Sequence, residues 1–155
     1  ELIAPLSALG KESPVRLVVI GGRAPAIANV VVEERPWSED SEVSLINGFD
    51  IGVMPLPDDE WARGKCAFKL IQYMACGIPV VASPVGANVE VVGSDGGGLA
   101  ATEIQWLEAF RLLRDQPRRA AEMGMAGRER VECKYSLRGY VPVLTEVIRT
   151  STGQG

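Results

Sequence analysis

Two periods of apolar residues alternate along this chain. Over residues 69–75, Leu70, Ile71, Met74 and Ala75 recur at the three-and-four spacing of one helical face, and Gly77 follows as a natural C-cap. Directly after it Ile78, Pro79, Val80, Val81 and Ala82 form an apolar run without polar interruption, which fits a strand buried on both faces. Proline can open such a strand because its first residue need not donate to the ladder. Residues 83–88, Ser-Pro-Val-Gly-Ala-Asn, then break the pattern as a turn cluster before a second apolar helical segment. The unit reads helix, buried strand, loop, helix.

The same alternation recurs on either side. Leu2, Ile3, Leu6 and Leu9 form a helical stripe that begins abruptly, so an element upstream of Glu1 is expected. Short β-branched runs at 16–20, 29–33 and 50–54 read as strands, the first ending in Gly21-Gly22, which permits a tight turn. Ser38 is a good N-cap, with Glu39 and Asp40 in the first turn of a helix that should end near Gly48. The proline- and acid-rich stretch 55–61 reads as a surface loop and the glycines of 93–98 as a flexible one, with a last brief strand at 99–101. Ile104, Leu107, Phe110 and Leu113 share one side of a helix over 103–115, closed by Pro117. A charged helix follows over 117–135, and Ser136 caps a final one carrying Tyr140, Val143, Leu144, Val147 and Ile148. Wholly apolar strands alternating with helices predict an α/β fold, a doubly wound parallel Rossmann-like sheet with helices on both faces.

Composition narrows the chemistry. A length of 155 residues fits one domain, and 46% hydrophobic with 23% charged residues is ordinary globular usage, so disorder is not expected. The net charge of −4 and the lack of any long Lys/Arg block give a nucleic-acid partner no electrostatic support. No apolar run approaches the roughly 18 residues a bilayer span requires. Cys66, Cys76 and Cys133 are too few and too scattered for a disulfide framework or a zinc site, which points to a reducing, cytoplasmic setting. Histidine is absent altogether, and this removes Ser-His-Asp triads, Cys-His pairs and the usual zinc hydrolases together. What remains works by carboxylates, lysines, backbone dipoles or positioning. In open parallel sheets ligands sit outside the carboxyl ends of the strands, where helix N-termini also point free N–H groups, so the loop at 83–88 is where chemistry is expected.

Residues 50–56 (D-I-G-V-M-P-L), 64–77 (G-K-C-A-F-K-L-I-Q-Y-M-A-C-G) and 79–86 (P-V-V-A-S-P-V-G), with an acid at Glu90, resemble the carboxyl-terminal half of a group 1 glycosyltransferase. The similarity extends from about Leu2 to the final helix. The resemblance implies a two-domain, retaining, nucleotide-sugar-dependent enzyme of GT-B architecture. Residues 1–155 would be its donor-binding domain, and an amino-terminal domain outside this sequence would supply most of the acceptor site. The family usually carries two glutamates eight positions apart, the second holding the ribose hydroxyls; here those positions are Gly64 and Gln72. An amide still accepts a ribose O–H, but through a neutral bond weaker by about 1 kcal/mol. Lys65 and Lys69 stand where a lysine can neutralise a diphosphate leaving group together with helix N–H groups. Gly86 matches the family's glycine loop, and Glu90 matches the acid of its G-G-x-P-E motif, with Val89 in place of the proline. The arginine and lysine that clamp the diphosphate in the family lie upstream of Glu1 on a central strand, so the sheet is expected to lack its first strand.

The implied function is transfer of a sugar from a nucleotide diphosphate sugar to an acceptor hydroxyl with retention. The sugar nucleotide is a co-substrate; neither a resident cofactor nor a metal is expected. The expected partners are that donor and the amino-terminal domain, through which a membrane surface could be reached, and the chain alone is expected to be inactive. The alternative is a degenerate, non-catalytic binding or structural module, with Gln72 and Gly64 marking lost catalysis. Each residue also has a plainer reading: Lys65, Lys69 and Gln72 as solvated surface, Gly86 as a turn former, Glu90 as a first-turn acid favoured by the helix dipole. Asp58, Asp59 and Glu60 read as solvated acids, and Trp37 and Trp61 could stack a base or sugar although burial is the commoner fate of tryptophan. A nicotinamide-dependent Rossmann enzyme is disfavoured, because Gly21-Gly22 lacks the dinucleotide fingerprint.

Overall fold

A computed structural model describes residues 1–151, and its elements follow the sequence pattern closely. In order they are α1 (Ile3–Glu12), β1 (Val15–Ile20), β2 (Val30–Arg35), α2 (Glu39–Ile46), β3 (Gly52–Met54), α3 (Glu60–Arg63), α4 (Phe68–Ala75), β4 (Val80–Ala82), α5 (Ala87–Val92), β5 (Gly97–Leu99), α6 (Glu103–Asp115), α7 (Pro117–Lys134) and α8 (Leu137–Ser151). All strand pairing is parallel, but it is divided: β1 pairs β2, and β3, β4 and β5 pair in that order.

β4 shows why its run is unbroken. Val81 packs with Leu6, Leu9, Trp106 and Phe110 on one side of the sheet, while Val80 and Ala82 pack with Leu70, Met74, Val91 and Val131 on the other. Successive strand side chains point to opposite faces, so a strand covered by helices on both sides has no polar position to spare. The layers are therefore α1 and α6 over one face and α4, α5 and α7 over the other. Leu70 and Met74 are fully buried, each worth about 1.5–3 kcal/mol of apolar transfer.

Local signals account for most of the boundaries. Ser38 caps α2 by accepting from the Ser41 amide, Asp59 caps α3 by accepting from Ala62, and Thr102 with Gln105 forms a capping box on α6. Gly77 takes a left-handed φ of +73° just past α4.

Four expectations change. The stretch 55–61 is irregular only as far as Asp59, the cap of α3, and Glu60 and Trp61 are helical. The glycines of 93–98 are not a loose loop throughout, since Gly97 and Gly98 belong to β5; a Cβ on Gly97 would stand 2.7 Å from the Val80 carbonyl oxygen, so glycine is what allows this strand to close on β4. On α6 the buried face is Trp106, Phe110 and Leu113, and Ile104 is 70% exposed, because the helix is rotated to bring Trp106 against Phe110. Finally, the parallel pair β1–β2 is joined through 21–29 without a helix. This extended return packs on α1 instead, with Ile27 buried beside Leu6 and Leu9 and Asn29 donating to the Ser7 carbonyl.

Each of β1 and β3 has one edge with no ladder partner among the described residues. Between them lies a cavity of about 750 Å³ lined by Leu2, Leu6, Val15, Leu17, Ile51 and Val53 among others. Among the described residues the two part-sheets thus share a side-chain cluster, with Val15, Leu17, Ile51 and Val53 around it, and no strand ladder.

Candidate functional site

The carboxyl ends of β3 and β4 are joined by buried polar groups. The Ser83 amide donates to the Met54 carbonyl (3.1 Å) and its hydroxyl accepts from the Leu56 amide (2.9 Å) while donating to Glu1 Oε2 (3.1 Å). Asn88 Nδ2 donates to the Ser83 carbonyl at 3.0 Å. Ser83 and Asn88 are both buried, so these bonds satisfy groups that water cannot reach. They fix the β4–α5 loop against the loop that leaves β3. Leu56, Ala62 and Val85 seal the junction from beneath.

Gly86 lies on this seam with φ +53° and ψ −134°. A Cβ there would stand 2.6 Å from the Arg63 carbonyl oxygen, so the glycine turn and the end of α3 meet backbone to backbone. Lys65 follows α3 directly, its amide donating to the Ala62 carbonyl, and its ammonium is exposed and makes no ion pair among the described residues. Ala67 then turns left-handed (φ 54°) to start α4 and offers no side-chain cap. The Glu90 side chain is exposed in the first turn of α5, and Arg130 donates to the Glu90 and Val91 carbonyls.

Lys69 and Gln72 lie one turn apart on α4 and meet a residue that the sequence did not single out. Glu42 of α2 accepts from Lys69 Nζ at 2.6 Å, from Gln72 Nε2 at 2.8 Å and from the indole Nε1 of Trp37 at 2.9 Å. Its side chain is 14% exposed, and the hydrogen bonds of Lys69 and then Trp37 hold its carboxyl below the usual range. Burial, with a contribution from Glu42, raises the neighbouring Tyr73 phenol. Gln72 Oε1 is buried and accepts no hydrogen bond among the described residues. No local pattern could have flagged Glu42, which lies 27 and 30 positions from its α4 partners.

The five expected residues therefore fall into groups. Lys69 and Gln72 are brought together at Glu42, Gly86 and Lys65 adjoin the seam at α3, and Glu90 stands beyond Gly86 on α5. None of them lines the 750 Å³ cavity between β1 and β3, whose walls are chiefly aliphatic. Trp37 and Trp61 are 55% and 81% exposed, against the usual burial of tryptophan. Among the described residues no group of three or more His, Cys, Asp or Glu side chains could hold a metal ion, and no helix is long and apolar enough to cross a membrane.

Comparison with known proteins bears on the whole arrangement. The chain resembles the sucrose-phosphate synthase of Thermosynechococcus elongatus at a TM-score of 0.70 and 20% identity, over 99% of this chain and 43% of that one. It resembles a glycosyltransferase from Rickettsia africae at a TM-score of 0.69 and 15% identity, over 99% of this chain and 44% of that one. At such identities the likeness is one of fold, and the chain spans less than half the length of either protein. No curated protein sequence matches it significantly. The sequence profile of the family described as group 1 glycosyl transferases, however, matches residues 2–110, well over half of the chain, and on that ground the chain belongs to the group 1 glycosyltransferases.

Proposed function

We propose that this chain is the donor-binding part of a retaining, GT-B-type glycosyltransferase that takes its sugar from a nucleotide diphosphate. The observation that carries this reading is the seam at the carboxyl ends of β3 and β4, where the glycine turn at Gly86 abuts α3 and the lysine-bearing turn at Lys65 leads into α4. Amides without a side-chain cap at the start of α4, and the Lys65 ammonium that precedes them in the chain and makes no ion pair among the described residues, suit an anionic diphosphate. As the sugar departs, negative charge grows on the leaving phosphate, and fixed N–H dipoles and a lysine stabilise that charge without having to reorganise. Lys69 contributes while shared with Glu42. Gln72, oriented by the same carboxylate, would hold the ribose hydroxyls in place of the glutamate usual in the family, and Glu90 stands on α5 beyond the glycine turn.

In this reading the acceptor, and most of the groups that orient it, come from an amino-terminal domain. The open edges of β1 and β3 favour a contribution from polypeptide preceding Glu1. A further parallel strand laid in the apolar cavity would end beside Ser83, where Glu1 already sits, and would pass directly into α1. Such a strand would join the two part-sheets into one.

Calorimetric titration with UDP and GDP tests the donor reading. Saturable binding of one of them, weakened by Lys65→Ala, is the expected result. Failure of both to bind would instead favour the second reading, a degenerate module, for which Gly64 and Gln72 in place of the family's two glutamates speak. A glycosyl-transfer assay on the 155-residue chain should show no turnover, and appreciable activity would refute the need for a second domain.

A further inference from the structure

We propose that Trp37 is the face on which the base of the donor nucleotide stacks, with Glu42 as the positioning residue that holds it; the inference rests on the nucleotide-binding reading above. Trp37 lies between the end of β2 and the start of α2, at the carboxyl edge of the sheet. It is 55% exposed, yet its one polar atom is already satisfied by Glu42, so what it offers outward is aromatic surface.

The ring is also held from its base. The Gly21 amide donates to the Arg35 carbonyl at 2.9 Å, which joins the ends of β1 and β2 beneath Trp37. A Cβ on Gly21 would stand 2.9 Å from the Trp37 Cβ, so glycine is what lets the tryptophan seat there. An exposed aromatic fixed in this way loses little side-chain freedom when a flat partner lands on it. Trp61, in contrast, is 81% exposed, and its indole N–H has no hydrogen bond among the described residues.

Glu42 Oε1 accepts from both Trp37 and Lys69, and its other oxygen accepts from Gln72. One carboxylate thus sets an aromatic face, a cation and an amide side by side. A nucleoside diphosphate carries the matching sequence of parts: a planar base, a hydroxylated ribose and an anionic tail. Truncation to alanine of an aromatic side chain on which a base stacks weakens affinity by about fivefold to more than a hundredfold.

The test is nucleotide binding to the 155-residue chain and its variants, by calorimetry and by indole emission, with UDP or, where the unmodified chain selects GDP, with GDP in its place throughout. Trp37→Ala should weaken UDP about tenfold or more, Trp37→Phe less than threefold, and Trp61→Ala should leave affinity unchanged. In a Trp61→Phe background UDP should quench the emission of Trp37, while the buried Trp106 contributes a constant signal. Glu42→Gln should weaken UDP and reduce the quenching, because it loosens the ring without removing it. Unchanged UDP affinity in Trp37→Ala, or binding without quenching in the Trp61→Phe background, would overturn the inference and leave the donor reading standing. Absence of nucleotide binding to the unmodified chain would remove both.

Discussion

Gly86 holds a backbone conformation that an L side chain reaches only with strain, and the space its Cβ would need is taken by the Arg63 carbonyl. Gly86→Ala should therefore cost on the order of 1–3 kcal/mol of stability by chemical denaturation and widen the seam beside Lys65. Ser83 carries a different burden. Its hydroxyl is the acceptor for the Leu56 amide, so Ser83→Ala leaves a buried donor unpaired, an expected loss of about 1–3 kcal/mol, whereas Ser83→Thr, which keeps the acceptor, should lose less of that bond. Equal losses in the two variants would mean that packing and not the hydroxyl governs this position. Glu42 illustrates what a residue acquires only from its surroundings: an ordinary acid in a helix becomes the common acceptor for three side chains.

Helices are fastened to one another by two kinds of contact, and each predicts its own failure. α7 reaches α4 because Gly124 and Gly127 leave room, the former for the Gly77 carbonyl and the latter for Met74. Met74→Ala should remove buried contacts at this junction and cost about 2–5 kcal/mol, measured by denaturant unfolding. α1 is fastened to α6 at the surface, where Arg111 and Arg114 both donate to Glu12 and lower its pKa to about 2. A carboxyl depressed in the folded state adds stability above its ordinary value near 4.5, and the contribution is lost as pH falls from there toward about 2. Between those limits the unmodified chain should therefore lose thermal stability more steeply than Glu12→Gln, in melting curves taken at successive pH values. Coincident slopes would show that the pair adds nothing beyond its exposed surroundings.

Across the whole molecule the sheet is divided, and the apolar cavity between β1 and β3 is the consequence. If, as proposed, a longer chain carries a strand before Glu1 that fills this space, restoring those upstream residues should protect the amides of β1 and β3 from hydrogen exchange and raise the melting temperature. A glycine-serine extension of equal length should do neither, and equal behaviour of the two extensions would count against a strand in that place. Much of this architecture was legible beforehand. The unbroken run at Val80, Val81 and Ala82, the stripe of Leu70 and Met74, the cap at Ser38 and the proline after α6 are local signals, and a burial period or a missing N–H acts within a few residues wherever the chain goes. The residue types of the central block likewise sufficed to suggest the family. The divided sheet agrees with the missing central strand that the resemblance implied. Beyond the reach of local pattern were the strand hidden in 93–98, the burial of Trp106 in place of Ile104, and the convergence of Trp37, Lys69 and Gln72 on Glu42. Each of these depends on what lies opposite a residue in space. Period and capping are properties of the chain with itself, but a close approach at Gly97 or a shared carboxylate at Glu42 exists only once distant segments have packed together.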